Sequence, residues 1–413
     1  MYKSGLYAYG RPARLFRASP KAYLDRTCAS VTNKSKGGKK IQRRQNSSAA
    51  QPRVVFSGIQ PTGIPHLGNY AGALRQWVQL QDQESENTKF IYSIVDLHAI
   101  TTPQKPDELK QWKRESLAAL LAVGIDPRRS IVFYQSSVPA HSELMWILAC
   151  TASVGYLSRM TQWKQKLNIA SECQLEEGSV GSRLKLGLFS YPVLQAADVL
   201  VHRASHVPVG HDQQQHLEFA RECATNFNHA YGAHLVHPKT IIREYIGSND
   251  DFGIRTPINY LFVAPVHRIM SLSDPTSKMS KSHKLARSRI LITDTYEEIR
   301  GKILAALTDS APGISYEPAK RPGISNLLSI LSIFDPDQRS PEQLAQVYST
   351  THPRSFKETV SDAVTAGLQG IRTRYMELID DGRYLDQVVA EGSRKARQSA
   401  EETMSIVRSA TGL

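Results

Sequence analysis

Two lysines three residues apart, Lys278 and Lys281, sit among small hydroxyls in the stretch "SKMSKSH" that runs from Ser277 to His283. Asp274 and Pro275 lie just upstream and no apolar periodicity crosses the segment, so it reads as a loop. A loop with two ammonium groups is either a solvated basic surface or a holder of anions. A second segment could share such an anion. The apolar run "VVFSG" (Val54–Gly58) leads into "IQPTGIPHLGN", where Gly58 and Gly63 let backbone approach a ligand closely. There Gly68 and Asn69 open a helix whose free N–H groups attract negative charge, although "HLGN" is equally an ordinary helix start. Neither a Walker A loop nor G-x-G-x-x-G occurs, so the usual nucleotide cradles are absent. A third candidate is Asp198, a lone acid in the apolar helical run "YPVLQAADVL", where a carboxylate is costly without a partner. Seven of the thirteen histidines fall between His202 and His237, but no cysteine or acid completes a ligand set, so no metal site is expected.

The elements that must position these residues follow from periodicity. Val54–Gly58, "KFIYSIVD" (Lys89–Asp96) and "SIVFYQSS" (Ser130–Ser137) read as buried strands. Between them lie helices, one with Leu67, Tyr70, Ala71, Leu74, Trp77 and Val78 on a face, another opening after Pro106. Alternating strand and helix implies a parallel, doubly wound sheet with right-handed crossovers, and "SHVPVG" (Ser205–Gly210) adds a further strand before a helix from Asp212. Ligands of such sheets bind at the carboxyl ends of the strands, at the switch point of the winding. Past about residue 295 the pattern is helical: "GISNLLSILSIF", then Ser340-Pro341-Glu342-Gln343 as a capped helix start, then a last helix with Leu385, Val388, Val389, Ala396, Ala400 and Ile406 on one stripe. The fold class expected is therefore α/β, a Rossmann-like catalytic domain (53–295, with inserted helices at about 139–205) followed by an all-helical domain (296–413). Residues 238–262 read as an insertion of unassigned role.

Charge is unevenly spread. Twelve of the 51 Lys and Arg lie in residues 1–52 against Asp25 alone, so +11 of the net +13 sits there and the body is nearly neutral. That leader is rich in Arg, Ser and Ala and lacks an apolar core, which suits a mitochondrial presequence without fixed structure. A basic arm that binds RNA would have the same composition. The four cysteines form no C-x-x-C pair, so neither a zinc knuckle nor a disulfide framework is suggested. No apolar run is long enough to span a bilayer.

"PTGIPHLGNY" after the first strand and "KMSKS" after the last together resemble the two defining motifs of the class I aminoacyl-tRNA synthetases. The segments "FSGIQPTG", "HLGNYAGALRQWV", "SIVDLHAIT", "LAVGIDP", "YPVLQAAD", "VPVGHDQQQH" and "PGISNLL" are similar, in order and spacing, to the tryptophanyl-tRNA synthetases of bacteria and mitochondria. The likeness runs from Val54 nearly to the C-terminus. Asn69 stands where other class I enzymes carry the second His of the helix-start motif, as this subfamily does, and Gln195 resembles the mitochondrial form. Two positions depart: His211 where the family usually has Glu, and His283 where it usually has Asp.

The resemblance implies a tryptophan–tRNA ligase that uses ATP, with Mg²⁺ held mainly by phosphates, to charge tRNA(Trp) in the mitochondrial matrix. It implies a homodimer and no membrane. Lys278, Lys281, His66 and Asn69 would be catalytic. Gln60, Pro61, Thr62, Gly68, Asn69, Gly210, His211, Asp212, Ile269 and Lys278, Met279, Ser280, Lys281 and Ser282 would line the ATP site. Phe56, Val95 and His98 would wall the indole of L-tryptophan and Asp198 would accept its N–H, while Tyr191, Gln213 and Gln60 would meet the ammonium. Lys164 and Lys166 would reach pyrophosphate or tRNA, or belong to a plain basic helix. The helical domain would read the anticodon, with Arg394, Lys395 and Arg397 as candidate phosphate contacts. A tyrosyl relative and a synthetase-derived RNA-binding protein without catalysis are the competing readings.

Overall fold

A computed structural model describes residues 53–167, 184–208, 213–241, 268–281 and 283–413. The leader therefore lies outside the described residues, as do most of 238–262, Gly210 to Asp212 and Ser282. Residues 51–413 form one compact unit. Its frame is a five-stranded sheet in the order β3-β2-β1-β4-β5, every pairing parallel. The strands are β1 (Val54–Ile59), β2 (Lys89–Ile94), β3 (Ser130–Tyr134), β4 (His206–Pro208) and β5 (Lys239–Ile241). The winding reverses between β1 and β4, so the crevice beyond the carboxyl end of β1 is the switch point where ligands settle. β5 corrects the reading of 238–262: that segment begins as an edge strand of the sheet, too short to show periodicity.

After β1 the chain enters α1 (Leu67–Asn69), a π-helical turn at Tyr70–Leu74, and α2 (Arg75–Gln83). Leu67, Ala71, Leu74 and Trp77 bury one face of this run against the sheet. α3 (Asp96–Ala99) follows β2, and α4 (Pro106–Val123) starts on Pro106 with Asp107 and Glu108 in its first turn. It stops at Gly124, whose φ of 116° is a left-handed cap that other residues adopt only under strain. On the other face pack α5 (Ala140–Ala149), α6 (Val154–Arg159), α7 (Gln162–Lys166), α8 (Leu186–Val201) and α9 (Gln214–Tyr231). The two faces thus carry two separate apolar cores.

The helical remainder comprises α10 (Tyr296–Leu304), α11 (Pro322–Phe334), α12 (Pro341–Val347), α13 (Pro353–Asp380) and α14 (Gly382–Thr411). α12 opens as expected: Ser340 Oγ accepts from Gln343 N at 3.3 Å and Gln343 Oε1 accepts from Ser340 N at 2.8 Å. α14 crosses the open edge of β3. Its Leu385 and Val388 join one core and its Ala396, Ala400, Met404 and Val407 the other. Gly392 lies so close that a Cβ there would stand 1.8 Å from Val132 O. A helix in this place shields edge carbonyls that would otherwise invite strand pairing. The expected stripe fails at Ile406, which is 39% exposed: from Ala400 the 3.6-residue repeat continues through Thr403, Met404 and Val407 instead.

Candidate active site

His66 is the N-cap of α1 and closes a reciprocal box with Asn69. Asn69 N donates to His66 Nδ1 at 3.3 Å, and His66 N donates to Asn69 Oδ1 at 3.1 Å. Burial, helped by the nearby Lys281, Arg289 and Lys278 charges, pushes the His66 pKa down to about 4. The ring is therefore neutral at physiological pH, and because Nδ1 accepts, the proton resides on Nε2. His66 offers an anion an N–H, not a charge. The Asn69 amide oxygen reaches back to cap the backbone N–H of residue 66.

The lysine loop is stitched to this helix start. Met279 is buried and donates its N–H to Ile269 O at 3.1 Å, while the missing side chain of Gly68 leaves room for the His66 ring, which a Cβ there would crowd at 3.0 Å. Leu67 N donates to Ile290 O at 2.8 Å and Ile292 N to Pro65 O at 3.1 Å, tying the segment after the loop to the same turn. Lys281 Nζ donates to Gly63 O at 2.5 Å. Its burial, with Glu115 opposing and Arg289 assisting, lowers its pKa to about 8. Lys278 is exposed. The residue-283 departure is accommodated locally: His283 Nδ1 accepts from Leu285 N at 3.2 Å, and its carbonyl accepts from Arg289 Nη1 at 3.0 Å.

The second half of the site surrounds Asp198 on α8, which is 1% exposed. Its Oδ1 accepts from Gln135 Nε2 at 2.7 Å and from His141 Nδ1 at 2.7 Å, and its Oδ2 accepts from His98 Nε2 at 2.9 Å. Burial alone would raise the pKa of this acid, but the His141 and His98 bonds outweigh it and hold the carboxylate ionised, below the usual range. A carboxylate accepts roughly four hydrogen bonds. Among the described residues three are taken, and the remaining lone pair is on Oδ2.

Phe56, Val95 and His98, expected to wall the indole, and Tyr191, expected to meet the ammonium, are all buried. The His98 and Tyr191 rings meet edge to face with centroids 6.1 Å apart, and Tyr191 Oη pairs with His216 Nε2 at 2.9 Å. Gln213 is reached from Gln195, whose Nε2 donates to its Oε1 at 3.4 Å. Lys166 Nζ lies 4.8 Å from the Tyr191 ring centroid, so it faces this pocket, and Lys164 is nearly buried beside Trp163. Gln60 and Thr62 are exposed at the end of β1 and Pro61 is buried. Gly210, His211, Asp212 and Ser282 lie outside the described residues.

Sequence reasoning missed Gln135 and His141. A signal existed: Gln135 directly follows β3, at the carboxyl end of a parallel strand where ligand-facing groups concentrate. Among the described residues no group of three or more His, Cys, Asp or Glu could hold a metal ion. No helix among them is long and apolar enough to cross a membrane.

Residues 48–369 match the family of class I tRNA synthetases for tryptophan and tyrosine (W and Y). The chain belongs to that family. Among similar curated proteins are the mitochondrial tryptophan–tRNA ligases of Schizosaccharomyces pombe, 41% identical over 87% of this chain and 95% of that one, and Saccharomyces cerevisiae, 41% identical over 89% and 93%. Among solved structures, the tryptophanyl-tRNA synthetase of Mycoplasma pneumoniae superposes with a TM-score of 0.71 at 29% identity over 87% of this chain and 98% of that one. The Campylobacter jejuni enzyme, crystallised with ADP and tryptophan, gives 0.67 at 30% identity over 87% and 100%. As a class I synthetase the chain is a ligase.

Proposed function

We propose that the chain is a tryptophan–tRNA ligase serving mitochondrial translation. The observation that carries the tryptophan reading is Asp198: a buried, ionised carboxylate with one lone pair left, on an otherwise apolar helix. Indole presents one N–H donor and no acceptor, so it completes the set. In the first step a tryptophan carboxylate oxygen attacks the α-phosphorus of ATP, a P–O bond forms, and the bond to the β-phosphate breaks to release pyrophosphate. The substrate is itself the nucleophile, so the protein's task is to align the two ligands and offset charge that grows on the leaving phosphates. Phe56, Val95 and His98 position the ring; Gln60, Tyr191 and Gln213 meet the ammonium.

His66 Nε2–H and the backbone of Pro61, Thr62, Gly68 and Asn69 receive the nucleotide, with Ile269 and residues 210–212 beside it. Lys278 and Lys281 bring positive charge to the triphosphate. Mg²⁺, an ion that keeps few protein ligands, would be held at this site mainly by the phosphates. In the second step the 3′-terminal ribose hydroxyl of tRNA(Trp) attacks the adenylate carbonyl and AMP leaves.

The helices α10 to α13 are the part that reads the anticodon, and 296–413 is divided between this task and closure of the catalytic sheet by α14. Location in the matrix is supported by the mitochondrial relatives of two yeasts and by the basic, acid-poor leader. A homodimer accords with the exposed Trp146, Val154 and Leu186 on α5, α6 and α8, which pack on one another, and sedimentation of an active monomer would refute it. The deciding experiment is ATP–pyrophosphate exchange. Tryptophan should drive it and tyrosine should not; no exchange with any amino acid would leave an RNA-binding protein without catalysis.

A further inference from the structure

Behind Asp198 a file of polar side chains crosses the protein between the sheet and α8. His141 Nε2 lies 3.3 Å from His202 Nε2, His202 Nδ1 lies 3.3 Å from Ser399 Oγ, and Lys89 Nζ donates to Ser399 Oγ at 2.8 Å. His141, His202 and Ser399 are buried, at 0%, 2% and 5% exposure. The file is packed on rings from two strands: Phe133 stands 5.7 Å from His141 and 5.8 Å from His202, and Phe56 stacks on His202 at 5.9 Å. It starts at the amino end of β2, where Lys89 lies, and ends at a carboxylate bonded to His98, just past the carboxyl end of β2.

With one proton on each imidazole, the hydrogen-bonding arithmetic leaves one arrangement. An ionised Asp198 only accepts, so His141 must donate from Nδ1. A neutral His141 then accepts at Nε2, so His202 must donate from its own Nε2. That makes His202 Nδ1 an acceptor, which Ser399 O–H fills, and the Ser399 oxygen in turn accepts from the Lys89 ammonium. Charging both histidines would set two N–H groups head to head at 3.3 Å, and burial holds the His202 ring well below the usual imidazole range. Every donor thus points the same way, from ammonium to carboxylate.

We propose that His141, His202 and Ser399 are positioning residues for tryptophan selection: a one-directional hydrogen-bond file, anchored on Lys89 and the C-terminal helix, that fixes the Asp198 carboxylate so that its open lone pair on Oδ2 faces the indole. The proposal rests on Asp198 being the indole acceptor. It assigns the last helix, 201 residues along the chain from Asp198, a part in amino-acid specificity. His202 does not touch substrate and acts through His141.

Two measurements test it on the full chain. In protein labelled with [¹⁵N]histidine, long-range ¹H–¹⁵N correlation should show His141 as the neutral Nδ1–H form and His202 as the neutral Nε2–H form. Either ring found cationic or in the opposite tautomer overturns the file. Next, His202→Leu should raise the tryptophan KM and lower the Trp/Phe ratio of kcat/KM by about tenfold, the usual scale for leaving a buried partner unpaired, with the KM for ATP nearly unchanged. His202→Gln, whose amide can donate to His141 and accept from Ser399, should recover most of the loss; a merely space-filling role would favour leucine. A folded His202→Leu enzyme with unaltered tryptophan KM and Trp/Phe ratio overturns the proposal. If Asp198→Ala abolishes selectivity while His202→Leu does not, the pocket stands and the file falls; if Asp198→Ala keeps the ratio, the pocket reading itself is wrong.

Discussion

Around Asp198 three protein donors hold a buried carboxylate at distances between 2.7 and 2.9 Å, and each donor belongs to a different element. Around Lys281 one ammonium leans on one backbone carbonyl, that of Gly63, and its neighbour Lys278 is exposed. The first region is complete before any ligand arrives and needs no more than an N–H. The second is poor in anions, so burial makes its charge uncomfortable until phosphates enter. The contrast separates two tasks. Selection of the amino acid uses a rigid acceptor, because an unpaired group discriminates only if it cannot relax. Activation uses cations that gain their best partner as charge shifts in the transition state.

The largest effect should come from the loop. Lys281→Ala is expected to lower the rate of adenylate formation by about 10²–10³-fold, the scale for losing one transition-state donor, with little change in the KM for tryptophan. Single-turnover kinetics would show this, and a raised KM for ATP at unchanged kcat would reduce Lys281 to a binding group. Next, Asp198→Ala should cut the Trp/Phe ratio of kcat/KM by at least about tenfold while ATP binding survives. An unchanged ratio would remove Asp198 as the acceptor and, with it, one side of the contrast.

A smaller effect follows from the sign of the Lys281 shift. The unliganded lysine has a pKa of about 8, and phosphate favours its charged form, so binding must raise that value. ATP binding should then take up protons above pH 8 and none near pH 6. Titration calorimetry at about pH 9 in buffers of different ionisation heat should register an uptake approaching one proton per ATP. The uptake should vanish in Lys281→Ala; if it persists there, the proton belongs elsewhere.

The smallest effect is expected at α14. Arg394 and Lys395 pair with Glu391, and Arg397 Nε donates to Ser137 O at 2.7 Å, so all three have partners within the protein. Replacing them together by alanine should weaken tRNA binding on the order of tenfold or less and flatten its salt slope by at most about 0.9 per lost phosphate contact. Identical slopes would confine tRNA recognition to other surfaces.

What could be read from the sequence divides along similar lines. Strand–helix alternation placed β1 to β4 and both site motifs, because those signals are local: apolar runs, glycines before a helix, a capping serine followed by glutamine. The Ser340 box and the buried Asp198 were visible for that reason. β5 was not, since three residues of edge strand carry no period. The partners of Asp198 were hidden more deeply. His98 comes from the β2–β3 connection and Gln135 and His141 from the far end of the connection that carries Asp198, and a pairing across 57 or more residues leaves no trace in spacing. The same holds for α14, whose stripe looked like the inner face of a separate helical domain but serves both faces of the sheet.

Gly392 against Val132 O has a consequence in time as well as space. A chain folds from its N-terminal end as it is made. The helix that seals β3, Gly382–Thr411, follows that strand by a long stretch of chain, so it leaves the ribosome well after the sheet it covers. Until then the sheet keeps a bare edge, and Lys89 and His202 lack the Ser399 hydroxyl that joins them. A chain cut short before Gly382 therefore keeps both the lysine loop and the helix start but has an open flank, prone to aggregation and proteolysis. Synthesis through α14 is a condition for the sheet of this translation enzyme to close.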